Sequence, residues 1–205
     1  MKSGVRISIL SQRSQKNRPR QRMILRLSPE IAKFTNQTDH ELTMLHLNKN
    51  IKVSPEKRLY VDMDGVLVDF NSGVNRLSTR MYELYKGHLD KAPGVFALMD
   101  PVPGAIDAIE RLADHFDVYI LSTAPWDNPS AWSDKLNWVH LHLSNYFIKR
   151  LILCHHKELL NGDYLVDDNS KNGAEDFPGE WIHFGSPQFP DWGAVEEYLN
   201  QNMSY

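Results

Sequence analysis

The sequence predicts a three-layer α/β fold: a parallel sheet of about five strands with helices packed against it. Two observations predict it. From Arg58 onward, short apolar runs alternate with segments of helical spacing, the pattern of strands joined by crossover helices. Four of those runs also end in side chains that carry chemistry, and open α/β sheets bind ligands beyond the C-terminal ends of their strands.

The first run, Leu59-Tyr60-Val61, leads into Asp62-Met63-Asp64-Gly65-Val66. Residues i and i+2 of an extended chain project to the same side, so the two acids face together. Gly65 permits a sharp backbone departure after them. Acids followed by glycine also make ordinary turns, so the pentad decides nothing alone. Ser72 to Met99 carries a helical stripe of Val74, Leu77, Met81, Leu84 and Tyr85. Past the punctuation of Pro101-Val102-Pro103-Gly104, a helix over 104–114 aligns Ala105, Ile106, Ile109, Leu112 and Ala113. The second strand, Asp117 to Leu121, ends in Ser122-Thr123. A helix over 130–144 follows, with Leu136, Val139 and Leu143 on one face and Ser130 as N-cap. Trp132 and Trp138 read as packing residues of that helix. The third strand, Leu151 to Cys154, precedes Lys157, and the fourth, Tyr164 to Val166, runs into Asp167-Asp168. Glu180 to Phe184 is a fifth strand, and Asp191-Trp192 to Leu199 a closing helix with Trp192, Val195 and Leu199 inward. Asp114-His115, Asn161-Gly162 and Asn172-Gly173 are turn chemistry.

Composition sets the class. Apolar residues at 41% and charged residues at 24% describe an ordinary globular chain. No run is long and uncharged enough to cross a bilayer, so no membrane partner is expected. The single cysteine, Cys154, excludes a disulfide framework and fits a reducing compartment, the cytoplasm. Placed in a core strand, it reads as a small buried hydrophobe. Charge is uneven: residues 1–58 hold 13 Lys and Arg against 4 Asp and Glu, the remainder 10 against 22. Residues 1–57 therefore read as a basic N-terminal extension, disordered to about residue 22. Three readings of it stay open: a plain extension or upstream start codon, an organelle transit peptide that would relocate the protein, or a nucleic-acid-touching arm. The acidic remainder speaks against a duplex-binding main domain. His155-His156 cannot readily chelate one ion, because neighbours in an extended segment point to opposite faces.

If the strands are parallel neighbours, two carboxylate pairs, two hydroxyls and an ammonium meet at one sheet edge. Such a set composes a phosphate-and-magnesium site. Acids hold a hard cation through oxygen, while hydroxyls and lysine orient and neutralise phosphoryl oxygens. Taken singly, a Ser-Thr pair is a turn or cap and a lysine after a strand is a solvated charge. Their joint spacing with two acid pairs reverses both readings.

These segments resemble the haloacid dehalogenase-like hydrolase superfamily, and within it the 5′(3′)-deoxyribonucleotidases, or type C pyrimidine nucleotidases. Asp62 to Phe70 resembles the family's D-M-D-G-V-L-A-D-F. Pro93-Gly94-Val95-Phe96 through Leu98, then Pro101 to Ala105, resembles P-G-F-F-x-x-L-x-P-I-P-G-A. Ile120 to Pro125 is similar to I-C-T-S-P, and Lys157 with Asp163 to Asp168 to K-x-x-x-x-x-D-L-L-I-D-D. The likeness runs from about Arg58 to about Leu199.

The resemblance implies a Rossmann-like domain over 58–205, with a small helical cap inserted after the first strand at about 71–100. It implies that Asp62 is the nucleophile, forming an aspartyl-phosphate, and that Asp64 is general acid and then general base. Magnesium would be held by the Asp62 side chain, the Asp64 backbone carbonyl and Asp168, with Asp167 bonded to metal-bound water. Spacing alone leaves open which acid of the second pair ligates; the family match favours Asp168. Ser122, Thr123 and Lys157 would bind phosphate. Phe70 matches a residue that packs on the nucleobase, with a core contact as its other reading. Trp126 and Lys135 lie where the family contacts substrate. The insert is shorter than the family's, and the missing part includes an aromatic pair that helps enclose the base. The expected function is a magnesium-dependent phosphomonoesterase for a small phosphate, a deoxynucleoside 5′- or 3′-monophosphate, with a non-nucleotide phosphate as the alternative and a homodimer as a compatible assembly. Two other classes compete. A receiver-type phospho-acceptor gathers similar groups but phosphorylates an aspartate on its third strand, a poor fit to Asp62 on the first. A nucleic-acid-binding protein would act through the basic arm.

Overall fold

Five short strands pair in parallel in the order β5–β4–β1–β6–β7: β1 (Arg58–Val61), β4 (Asp117–Ser122), β5 (Leu151–Leu153), β6 (Tyr164–Asp167) and β7 (Glu180–His183). The computed structural model describes residues 57–203, so the expectations for the basic extension ahead of Lys57 lie outside the described residues. β1 sits centrally between β4 and β6, with Val61 opposite Ile120 and Val166. Leu59, Tyr60 and Val61 are all buried, as a central parallel strand covered on both faces requires.

Strand alternation divides the core in two. Leu59, Val61, Val118, Ile120 and Val166 join a large cluster with three helices: α3 (Ala105–Leu112), α4 (Ser130–His142) and α5 (Trp192–Gln201). Tyr60, Leu121 and Leu165 face the other way and meet Ala174 and Phe177 from the segment after β6. The expected stripes of α3 and α5 are in place, with Ala105, Ile109 and Leu112, then Trp192, Val195 and Leu199, buried. Asp191 caps α5, its carboxylate accepting from the Ala194 N–H.

The stripe expected on α4 is only partly observed. Leu136 is 42% exposed, and the buried face is Ala131, Asp134, Lys135, Trp138 and Val139. Two charged residues were not expected inward, and each is there because it is bonded: Asp134 to Ser130, and Lys135 within the acid cluster below. Ser130 is not the N-cap. Its hydroxyl accepts from the Gly94 N–H and has its one proton within reach of two acceptors, Asn128 Oδ1 and Asp134 Oδ2. Cys154 lies just past the edge strand β5 and is half-buried rather than fully buried.

The insert after β1 opens and closes through a small antiparallel pair, β2 (Val68–Asp69) with β3 (Asp100–Pro101). Within it α1 (Phe70–Val74) and α2 (Thr79–Leu84) replace a single continuous helix, because Ser78 caps α2 by accepting from the Met81 N–H. Val74, Leu77, Met81 and Tyr85 pack on the core as expected, while Leu84 is exposed. The insert is pinned to the core. The Trp138 indole N–H donates to the Met99 carbonyl, and the Asn128 amide donates to those of Asp90 and Ala92.

Candidate active site

The loop after β1 is built to hold two acids still. The Asp62 N–H donates to Val166 O of β6 at 2.9 Å. The carbonyl of Met63 then accepts from the N–H groups of Val66, Leu67 and Val68 at 3.2, 2.8 and 2.9 Å, folding the chain over itself. Gly65 makes this possible at φ +80°. A β-carbon there would also stand 2.7 Å from Asp168 Cγ, so the absent side chain leaves the space that Asp168 occupies.

Lys157 ties the two pairs together. Its Nζ donates to Asp62 Oδ1 at 2.9 Å and to Asp167 Oδ2 at 2.5 Å, with the lysine 3% exposed. Its own N–H is held by the Asn172 carbonyl at 2.8 Å. Burial opposes the charge of this ammonium, but Asp62 and Asp167 outweigh burial and raise its pKa. One cation cannot satisfy every acid nearby. Burial, then the charge of Asp62, push Asp167 up to about 7. Burial, then Asp62 and Asp64, push Asp168 up to about 6. Asp64 is raised by burial against the pull of Lys135, and among the described residues its Oδ1 is buried without a partner, which favours the neutral acid.

The acids also meet a test for a divalent cation. Carboxylate oxygens of Asp62, Asp167 and Asp168 lie within 4.8 Å of one another, and a cluster of hard oxygen donors without thiol or imidazole suits magnesium. Asp167 has both oxygens engaged, by Lys157 and by the Asn169 N–H at 3.0 Å. Asp168 is exposed to the cleft.

All nine expected residues gather at one cleft of about 890 Å³ at the C-terminal edge of the sheet. Asp62, Asp64, Phe70, Thr123, Lys157, Asp167 and Asp168 line it. Ser122 and Lys135, both 0% exposed, sit behind the wall instead. Lys135 Nζ donates to Ser122 Oγ at 2.9 Å and to Asp64 Oδ2 at 2.5 Å, and lies 4.7 Å from the Phe96 ring centroid. Lys135, expected beside substrate, is buried here against Asp64 and Ser122. The Thr123 hydroxyl donates to the Cys154 carbonyl. Phe70 lines the cleft and makes the core contact, packing on Phe96 at 5.6 Å between centroids.

The histidines part as expected: His155 lines the cleft, and His156 pairs with Glu158 at 2.9 Å. Trp138 is buried packing, whereas Trp132 is 40% exposed and leans on His155. Sequence reasoning missed Asn172 and Asn128 as supports. Asn172 showed only as a turn, which its φ of 55° bears out, and Asn128 carried no signal.

Comparison with known proteins agrees with this geometry. The family profile described as "5′ nucleotidase, deoxy (Pyrimidine), cytosolic type C protein" matches residues 78–192. The chain belongs to this nucleotidase family. A Vibrio phage KVP40 protein carrying the 5′(3′)-deoxyribonucleotidase name is 53% identical over 156 residues, 76% of this chain and 92% of that one. The human cytosolic-type 5′(3′)-deoxyribonucleotidase is 33% identical over 156 residues, 62% of this chain and 77% of that one. A Staphylococcus epidermidis protein of the same name is 28% identical over 174 residues, 70% of this chain and 96% of that one. The nucleotidase profile begins after Asp62 and Asp64, so their place in the site rests on the geometry above. Among the described residues no helix is long and apolar enough to cross a membrane.

Proposed function

We propose that this nucleotidase-family chain is a magnesium-dependent phosphomonoesterase that hydrolyses deoxynucleoside 5′- or 3′-monophosphates through an aspartyl-phosphate. The observation that carries the proposal is the buried Asp62–Lys157–Asp167 triad beside Asp64 and Asp168. It is an acid cluster too crowded for its own cations, opening on a cleft of nucleotide size.

Each residue has a role its surroundings support. Asp62 Oδ1 is held by Lys157, which leaves Oδ2 to attack phosphorus in line. The P–O bond to the leaving oxygen breaks as the acyl phosphate forms, and Asp64, favoured as the neutral acid, gives that oxygen its proton. Asp64, now a carboxylate, takes a proton from the water that cleaves the acyl phosphate. Inorganic phosphate leaves and Asp62 is restored. Thr123 and Lys157 line the cleft and would bind the phosphoryl oxygens, with the buried Ser122 behind them. The Asp62 and Asp168 side chains and the Asp64 backbone carbonyl would hold magnesium, which supplies positive charge against the acids and the phosphate dianion. Asp167, fixed by Lys157, would accept a hydrogen bond from a water held by that ion. A cytoplasmic setting belongs to the same reading, since Cys154 stands as a free thiol.

The test is turnover of p-nitrophenyl phosphate and of a panel of nucleoside 5′- and 3′-monophosphates and sugar phosphates, with and without magnesium. Asp62→Asn should lower kcat by about 10⁴-fold or more with the circular dichroism spectrum and melting temperature retained. A folded Asp62→Asn chain that still turns over places the nucleophile elsewhere.

A further inference from the structure

We propose that Trp126 is the nucleobase platform of this enzyme, a stacking surface supplied by the core rather than by the insert. The inference rests on the nucleotidase reading and specifies how that site tells a nucleotide from other phosphates.

Trp126 is 80% exposed, yet it lines the same cleft as Asp62 and Asp64. With Phe70 it gives an otherwise polar cleft an aromatic lining against which a flat apolar group can pack. It is also not loose. Its ring meets His155 edge-on, at 5.9 Å and 72°, and His155 also contacts Trp132 at 6.2 Å. The loop that carries it is fastened on the next two residues: Asp127 pairs with Lys91 at 2.7 Å, and the Asn128 amide holds the Asp90 and Ala92 carbonyls. One edge is thereby used for support, while the indole remains largely open to the cleft.

Position in the chain supplies the second argument. Trp126 follows Thr123 by three residues, a reach of at most about 10 Å of extended chain. A group bound through its phosphate at Thr123 and Lys157 can therefore set an aromatic base against Trp126. Phe70, which also lines the cleft, is half-buried and partly committed to Phe96, so Trp126 is the more exposed of the two aromatics. Stacking on an indole reads the presence of a base rather than its identity, because every base has a π-face. The site should accept purine and pyrimidine deoxynucleotides alike.

The experiment compares kcat/KM for deoxynucleoside monophosphates with that for 2-deoxyribose 5-phosphate, which keeps the phosphate and sugar and lacks the base. In the wild-type chain the nucleotides should be preferred. Trp126→Ala should lower that preference by about 5- to 150-fold, the span of one base-on-aromatic contact, mainly through KM. Trp126→Phe should restore most of it. A preference that holds within twofold in Trp126→Ala, or an equal loss on both substrates, overturns the platform while leaving the phosphatase standing. A wild-type chain inert toward every phosphate ester, with or without magnesium, overturns the nucleotidase reading and the platform with it.

Discussion

Replacing Gly65 by alanine tests the active-site geometry at the point where backbone and metal chemistry meet. The perturbation is one methyl group. At φ +80° an L-residue is strained by roughly 1–2 kcal/mol, and the new β-carbon would stand 2.7 Å from Asp168 Cγ and closer still to Oδ2. Normal contact requires the carboxylate to retreat by about 1 Å. It has room to do so, because Asp168 is exposed to the cleft. The fold therefore survives with a stability loss near the backbone strain alone, while the acid that would ligate magnesium leaves its place. Misplacement of about 1 Å in a reacting constellation is worth on the order of 10²-fold in rate. Gly65→Ala should thus melt only a few degrees lower, lose about 10²-fold in kcat/KM at limiting magnesium, and recover part of that as magnesium is raised. Magnesium-dependent turnover and thermal melts on the same preparation give both readings. Wild-type magnesium dependence in a folded Gly65→Ala chain would refute the argument, since it would mean that Asp168 does not act from where it stands.

Acidity and magnesium should be linked. Asp167 and Asp168 are raised to about 7 and about 6, above the ordinary carboxylate value, so the folded metal-free chain holds their protons more tightly than the unfolded chain does. Stability without metal should therefore fall as pH rises from about 4 through 7, and added magnesium should restore it at pH 8 but add little at pH 5. Melting temperatures that rise with pH over that window without metal would contradict this. Lys135→Met removes the cation that pulls the Asp64 pKa down, so the alkaline limb of kcat/KM should move to higher pH. If Lys135 keeps Asp64 placed to protonate the leaving group, the variant should lose more activity on alkyl phosphates than on p-nitrophenyl phosphate, whose leaving group needs no proton. Equal losses on both would show that Lys135 serves the fold alone.

The sheet was legible because four of its five strands are apolar runs ended or closely followed by a chemically distinct residue. The positions of Asp62, Lys157 and Asp167 followed from topology once the strands were parallel. What the sequence concealed was pairing across the fold. Lys135 lies on α4 between Asp134 and Leu136, and a helical wheel sends the leucine inward and the lysine out. The structure does the reverse, because Lys135 meets Asp64 and Ser122 from a different strand end each. A buried charge is tolerated only by such partners, and no local pattern names a partner 71 residues away. The break between α1 and α2 was hidden for a different reason. The stripe from Val74 to Tyr85 keeps helical spacing across it, and only the Ser78 cap shows where one helix ends and the next begins.

Charge gives the site its logic. Four carboxylates, Asp62, Asp64, Asp167 and Asp168, face two buried ammonium groups, and the ammoniums are already spoken for. Lys157 bridges Asp62 and Asp167, and Lys135 holds Asp64. Among the described residues Asp168 has no lysine of its own, and it is the acid exposed to the cleft with space cleared for it by a glycine. In this arrangement the folded chain resists losing its last protons, which is what the raised values at Asp167 and Asp168 express. A divalent cation beside Asp62 and Asp168 would remove that resistance and leave a center able to receive a dianion. The same crowding that burdens the empty site would then favor the loaded one. The prediction that magnesium stabilises the chain at pH 8 and not at pH 5 is therefore also a test of why these acids sit so close together.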